Sequence, residues 1–272
     1  MVFAEGFPRN SKGWIQFLSD RQDWEIRKKL FPPEVGKHPA KANLSMLTAI
    51  IGFVSKEGDT ILDPFAGTGS IFIAALQGRK IVAIEVSPGY VELLQRCREQ
   101  ILSVKPNADI LVLEGDCRSY LPLPADHIIY SPPYADIMKK TVTPTTDKFS
   151  EDIYSQSIEE FHKYSAGEGN IGMLPEFFYF QALEKVLQLC YESLSANGTM
   201  TFITKDHIEE GKRVHITKRI VRMAERLGFV LVAAHKRDVS SEGSPYTRIY
   251  RSQGRLTVDD EDIVIYRKAG AL

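Results

Sequence analysis

Short apolar runs alternate along this chain with longer stretches in which apolar positions recur every three or four residues. The runs at 60–62, 81–85, 110–113, 127–130, 199–204, 229–234 and 262–266 have the length and composition of buried strands. Helical spacing follows Asn43, a residue able to cap, through Leu44, Leu47, Ile50, Ile51 and Val54. It returns after Ser87-Pro88, with Ser as cap and Pro at the first helical position, through Val91, Leu94 and Ile101. It appears again over 177–194, with Ala196-Asn197-Gly198 as the stop, and over 216–227. Residues 71–76 read as the first turns of another helix, and a further one is expected over 19–30. Strands alternating with helices at this spacing predict an α/β fold with a doubly wound, mostly parallel sheet. The last run has no helical period before it, and Gly243, Pro245 and Gly254 interrupt the connection. It is therefore expected to pair antiparallel, as the last of seven strands.

Two stretches break this rhythm. Residues 31–41 hold three prolines and a glycine, which predicts an extended or turning segment. Residues 135–172 are polar, with Lys139-Lys140 and a Thr-rich run, and read as an inserted lid. The expected organisation is an N-terminal segment (1–43), a first half of the sheet (44–134), the insertion (135–174) and a second half (175–272). The second half carries a basic hairpin over 236–255.

Composition adds limits. A hydrophobic share of 43% with 25% charged residues is enough for a real core. A net charge of -1 supplies no global attraction to nucleic acid, so any such contact needs a local patch. Cys97, Cys117 and Cys190 show neither paired nor metal-ligand spacing, which fits a reducing interior. The histidines make no ligand pattern, so no metal is expected. No run approaches the ~20 apolar residues of a membrane span and no signal pattern opens the chain. The expectation is a cytoplasmic protein with no membrane contact.

The chemistry gathers where strands end. The first expected strand runs into Asp63-Pro64-Phe65-Ala66-Gly67-Thr68-Gly69-Ser70, the second ends in Glu85-Val86 and the third leads to Asp116-Cys117. Strand, glycine turn and helix bring backbone N–H groups to a ligand at the carboxyl end of a parallel sheet. An acid about 20 residues beyond the turn suits a ribose diol. An acid inside the turn suits a ligand with an amino group and repels a pyrophosphate. No phosphate-loop Lys follows, and Phe72 stands where a dinucleotide fingerprint needs glycine. A nucleoside carrying a cationic amino acid fits best, which points to S-adenosylmethionine.

Ser131-Pro132-Pro133-Tyr134 closes the fourth strand. The prolines remove two donors, stiffen the loop and leave its carbonyls free to accept. The Ser131 oxygen and the Pro132 carbonyl could hold an exocyclic amino group through its hydrogens. Tyr134 offers a flat face to a base swung out of its helix.

The glycine turn followed by Ser-Pro-Pro-Tyr resembles the amino-group DNA methyltransferases, whose tetrapeptide is Asp, Asn or Ser followed by Pro-Pro and an aromatic residue. The Ser form resembles the cytosine-N4 branch; Asp or Asn is usual for adenine-N6. The resemblance implies a Rossmann-like class I methyltransferase fold and S-adenosylmethionine as cofactor. It implies a closing motif at Pro39-Ala40-Lys41 over the methionine end, Glu85 at the ribose and Asp116 near the adenine amino group. It implies duplex DNA with a flipped base as substrate, and a possible restriction endonuclease as partner. The family's large sequence-reading domains are not expected in this sequence, so DNA contacts are expected to fall to Lys139, Lys140, Arg237, Arg248, Arg251 and Arg255, basic residues interleaved with aromatics. The cluster Lys212, Arg213, Lys218, Arg219, Arg222 reads as the outer face of a helix, and 177–180 as core. Rival readings are an RNA amino-group methyltransferase, a silent cofactor-binding subunit and a small-molecule methyltransferase.

Overall fold

The computed structural model describes residues 2–19, 24–37, 41–133, 169–240 and 245–269. Its strands are β1 (Thr60–Asp63), β2 (Lys80–Glu85), β3 (Ile110–Glu114), β4 (Ala125–Tyr130), β5 (Leu194–Thr204), β6 (His207–Glu209), β7 (Lys212–Val214), β8 (Phe229–Asp238) and β9 (Asp260–Lys268). Seven of them form one sheet in the order β3-β2-β1-β4-β5-β9-β8, and β6 and β7 form a separate two-stranded hairpin. Strands β1 to β5 pair in parallel, whereas β9 runs antiparallel to both β5 and β8. The doubly wound sheet with an antiparallel last strand is the architecture that the alternation predicted.

The helices are α1 (Trp24–Leu30), α2 (Pro33–Lys37), α3 (Leu44–Val54), α4 (Ile73–Leu76), α5 (Pro88–Val104), α6 (Cys117–Tyr120), α7 (Glu176–Ser193), α8 (Ile216–Arg226) and α9 (Pro245–Ser252). They cover the sheet in two layers. One core packs α3, α4 and α5 against the strands, around Leu47, Ile51, Phe72 and Leu94. The other packs α7 and α8, around Leu183, Leu187, Ile220 and Phe202. Asn43 caps α3 as its position suggested, accepting from the Met46 N–H at 2.8 Å.

Three local expectations are corrected. Residues 33–37 form the helix α2 despite the flanking prolines, because a proline at a first helical position has no partner to lose. Helix α7 stops at Ser193, so Ala196-Asn197-Gly198 lies within β5. There β4 pairs Ala125 with Leu194 but His127 with Thr199, and the surplus residues bulge through Asn197 at φ 63°. A Cβ on Gly198 would come within 2.7 Å of the Asp126 carbonyl, so this bend needs glycine. Residues 236–255 are not a hairpin: β8 continues to Asp238, and α9 occupies the connection to β9. The stretch after the glycine turn is helical where expected, a 3-10 turn over Ser70–Phe72 followed by α4.

Candidate active site

Neighbouring parallel strands β1 and β4 carry their tips to the same edge of the sheet, so the glycine turn and Ser131 stand side by side. At the turn, Asp63 accepts from the Phe65 N–H at 2.9 Å. The Ala66 N–H bonds the Ile84 carbonyl at 3.0 Å, fastening the turn to β2. Gly67 and Gly69 both have positive φ, 51° and 75°, which other residues adopt at a cost. They serve different ends. A Cβ on Gly69 would lie 2.7 Å from Leu94, so this glycine lets α5 pack close. A Cβ on Gly67 would meet nothing nearer than the Phe65 carbonyl at 3.9 Å and would project into space open to a ligand.

Glu85, at the tip of β2, holds the rim together. Its carboxylate accepts from the Gly67 N–H at 2.8 Å and the Ser87 N–H at 2.9 Å. Burial pushes its pKa up against the pull of these donors. Asp63 is pushed up to about 7, first by burial and then by the Glu85 charge, while the Phe65 N–H pulls the other way. Two buried acids lie at one rim, and among the described residues their hydrogen bonds come from backbone N–H groups. Such a place favours a ligand that brings positive charge. Asp116 is committed differently: it caps α6 through the Arg118 N–H, and the Arg118 guanidinium grips both its oxygens at 2.5–3.0 Å.

The Ser131 hydroxyl donates to the Ile203 carbonyl on β5 at 2.8 Å. Its proton is thereby placed, and its remaining oxygen capacity is that of an acceptor. Ser131 and Pro132 line a cavity of about 890 Å3, together with Lys41, Asp63, Phe65, Ala66, Gly67 and Thr68. A second crevice, about 40 Å3, is bounded by Pro64, Glu85, Val86, Asp116, Cys117 and Pro133, and shares Phe65 and Gly67 with the first. The two prolines thus face different spaces. Gly69 lines neither. Tyr134, Lys139 and Lys140 lie outside the described residues, as does the side chain of Arg248.

The far wall of the cavity was foreseen only in part, at Arg255. It comprises Lys205 and Asp206 just past β5, His207, Ile208 and Gly211 of the hairpin, Tyr250 from α9 and 255–258 after α9. Gly211 between two charged flanks was the available turn signal. Arg255 belongs to this wall, its guanidinium 4.7 Å over the Tyr250 ring. Arg251 pairs with Asp259 at 2.6 Å. Arg237 departs from the expected role: it is 5% exposed and paired with Glu261 at 2.7 Å, a brace in the cavity wall and not a cation open to phosphates. The aromatic run divides, Tyr179 and Phe180 being buried while Phe177 and Phe178 are exposed. Among the described residues no cluster could hold a metal ion, and no helix is long and apolar enough to cross a membrane.

A family profile described as DNA methylase matches residues 9–96. The chain resembles the amino-group DNA methyltransferases. A type II methyltransferase, M.BglI of Bacillus subtilis, is 36% identical over 74 residues, 26% of this chain and 21% of that protein. A tRNA (guanine(10)-N2)-dimethyltransferase of Methanothermobacter thermautotrophicus is 33% identical over 131 residues, 47% of this chain and 36% of that one. The chain therefore spans well under half the length of these relatives. Among solved structures, a methyltransferase from Pyrococcus furiosus aligns with a TM-score of 0.53 at 14% identity, covering 93% of this chain and 100% of its own. That likeness shows the class I methyltransferase fold. Profile and fold together imply S-adenosylmethionine as cofactor.

The residues suit that cofactor. Buried Asp63 can face a cationic amino acid, Gly67 leaves its approach clear, and the Glu85 oxygens keep lone pairs for a diol. The Asp116 crevice is far smaller than the ~300 Å3 usual for ligand sites. Asn170 and Ile171 form part of its lining, and Gly169 packs against Asp116, so this segment must yield to admit a nucleoside.

Proposed function

We propose that this chain methylates an exocyclic amino group in DNA, with cytosine N4 as the target, using S-adenosylmethionine. One observation carries the reading: the Ser131 oxygen, oriented by its bond to Ile203, lines the same cavity as Asp63 and Gly67. An amino group donating to Ser131 Oγ and to the Pro132 carbonyl would have both hydrogens held and its lone pair turned outward. The bound cofactor supplies a methyl group already activated on a sulfonium. Positioning and hydrogen bonding are then the protein's main contribution. Burial, with the Asp116 charge next, pushes the Cys117 thiol up to about 12, so it supplies no thiolate at neutral pH and direct transfer is favoured over a covalent adduct.

In this reading Asp63, Pro64, Phe65, Ala66, Gly67, Thr68, Glu85, Val86, Asp116 and Cys117 form the cofactor rim, with Gly69 shaping the turn behind it and Lys41 closing the methionine end. Ser131, Pro132, Pro133 and Tyr134 present the base, Tyr134 by stacking. Lys139, Lys140, Arg248, Arg251 and Arg255 contact the nucleic-acid backbone. A flipped base in duplex DNA, a cytoplasmic setting and a cognate restriction endonuclease belong to the same reading. A second reading, RNA amino-group methylation, is favoured by the tRNA methyltransferase relative, which aligns over more of this chain than M.BglI does.

Tritiated methyl transfer into duplex DNA, single-stranded DNA and tRNA, followed by nucleoside analysis, tests both. Label in N4-methylcytosine from duplex DNA is the expected result. N6-methyladenine would move the target base, label confined to tRNA would establish the second reading, and no transfer to any nucleic acid would sink both.

A further inference from the structure

The hairpin of β6 and β7 forms part of the far cavity wall, yet each strand is three residues long and neither joins the main sheet. A two-stranded ribbon of this size has little stability of its own. Something else must hold it. Arg213, on β7, donates from Nε to Asp206 at 2.8 Å and grips Asp260 with both terminal nitrogens, at 2.9 and 2.7 Å. Asp206 ends the β5 side of the wall, and Asp260 opens β9 just after the cavity-lining stretch 255–258. One guanidinium therefore touches both halves of the wall.

The surroundings make this junction specific. Asp260 is 1% exposed and Asp206 5% exposed, so each would be costly without a partner. Asp206 also accepts from His215 Nδ1 at 2.9 Å and from the Thr217 N–H at 3.3 Å. Lys236 on β8 pairs with Asp260 and, at 2.8 Å, with Asp262, which in turn accepts from Thr217 Oγ1 at 2.8 Å. Burial alone would raise Asp260, but hydrogen bonds from Arg213 and Lys236 hold it down at about 2. The network is separate from the cofactor rim in its bonding: Asp63 and Glu85 accept from the backbone N–H groups of Phe65, Gly67 and Ser87, whereas the network joins Asp206, Asp260 and Asp262 to Arg213, His215, Thr217 and Lys236.

We infer that Arg213 is a positioning residue that couples the hairpin to the 255–260 stretch and so sets the shape of the substrate side of the cavity. The inference rests on the proposed methyltransferase reading for its kinetic consequence, and on the Arg213 contacts alone for the coupling. A planar fork that spans two carboxylates fixes angle as well as distance, which a lysine at the same place could not. Loss of the fork would let the two halves of the wall move independently while the rim keeps its backbone-built geometry.

The test uses the full chain. In Arg213→Gln, amide hydrogen exchange should rise together over 207–214 and 255–260, whereas 63–69 and 85–87 keep their protection. The KM for nucleic acid should rise about tenfold or more, since small misplacements are expensive for a reacting group. Cofactor Kd should stay within about twofold, as expected of a site whose hydrogen-bond partners are not shared with the rim. Arg213→Lys should recover part of the KM change. Unchanged exchange in either half of the wall, or equal losses of cofactor and nucleic-acid binding, would overturn the inference. Should Arg213→Gln fail to fold, Asp260→Asn carries the same expectations. Should wild-type protein methylate no nucleic acid, the proposed function falls; the coupling then stands or falls on exchange alone.

Discussion

Two regions of this molecule are organised around buried carboxylates, and they hold them in opposite ways. At the rim, Asp63 and Glu85 accept from backbone N–H groups, those of Phe65 and Ser87 two residues along the chain and that of Gly67 from the turn after the neighbouring strand. At the wall, Asp206 and Asp260 are gripped by the side chains of Arg213, His215 and Lys236. The pKa directions follow. Burial pushes Asp63 up to about 7 and Glu85 upward, whereas at the wall hydrogen bonds, with the Arg213 and Lys236 charges, overcome burial and hold Asp206 low and Asp260 at about 2. The wall has met its charges internally and has become architecture. The rim has kept its acids for a charge that arrives from outside.

Ser131 stands where the two regions meet, at the tip of β4 with its hydroxyl tied to β5. It gives the largest expected effect. Ser131→Ala should lower kcat by about 10²–10³, the range seen when one positioned hydrogen-bonding group is removed from an active site. Cofactor Kd, measured by calorimetry, should barely change. A loss of affinity matching the loss of turnover would mean that Ser131 supports the rim, and the division drawn here would fail.

Asp63→Asn probes the rim itself and is sensitive to pH. An acid with a raised folded pKa favours folding at pH below its unfolded value, and that advantage is lost as pH rises through the folded value, here about 7. The asparagine oxygen can still accept from Phe65, but no charge has to be buried. Apo Asp63→Asn should therefore melt at least about 4 °C above wild type near pH 8, with the gap closing towards pH 5. Cofactor affinity should change oppositely: wild type should bind more tightly as Asp63 ionises, and the variant should lose both affinity and that pH dependence. Melting curves and calorimetry across the range decide it; a flat wild-type affinity would remove Asp63 from the ligand.

How legible each region was in the sequence follows from the same contrast. The rim is written locally. Asp63 to Gly69, Glu85 and Ser131 to Pro133 each lie next to a strand end, and the parallel alternation already places those ends along one edge. The wall is not. Arg213 reads as one more basic residue beside Lys212 and Lys218, and its partner Asp260 lies 47 positions away. Neither periodicity nor spacing records that contact. The short α9 was hidden for a related reason: Gly243, Pro245 and Gly254 announce breaks, yet Pro245 stands at a helix start, where proline is tolerated. Arg237 shows the remaining gap, because a basic residue on an edge strand gives no sign in sequence that Glu261 will cover it.

The smallest effect separates cations that the wall has spent from those it still presents. Arg251 already pairs with Asp259 at 2.6 Å, whereas exposed Arg255 lies over the Tyr250 ring at 4.7 Å and lines the cavity mouth. Cation–π contact of this kind orders the guanidinium without neutralising it. If Arg255 meets a phosphate, Arg255→Ala should reduce the slope of log affinity against log salt by about 1 for nucleic acid. The affinity itself should fall about threefold to tenfold at moderate salt, with cofactor binding untouched. Arg251→Ala should give a smaller slope change, because removing the arginine also frees an acid that repels the same phosphate. Equal slopes for the two variants would show that pairing with Asp259 does not spend Arg251's charge, and the wall could no longer be described as electrostatically closed where it is paired.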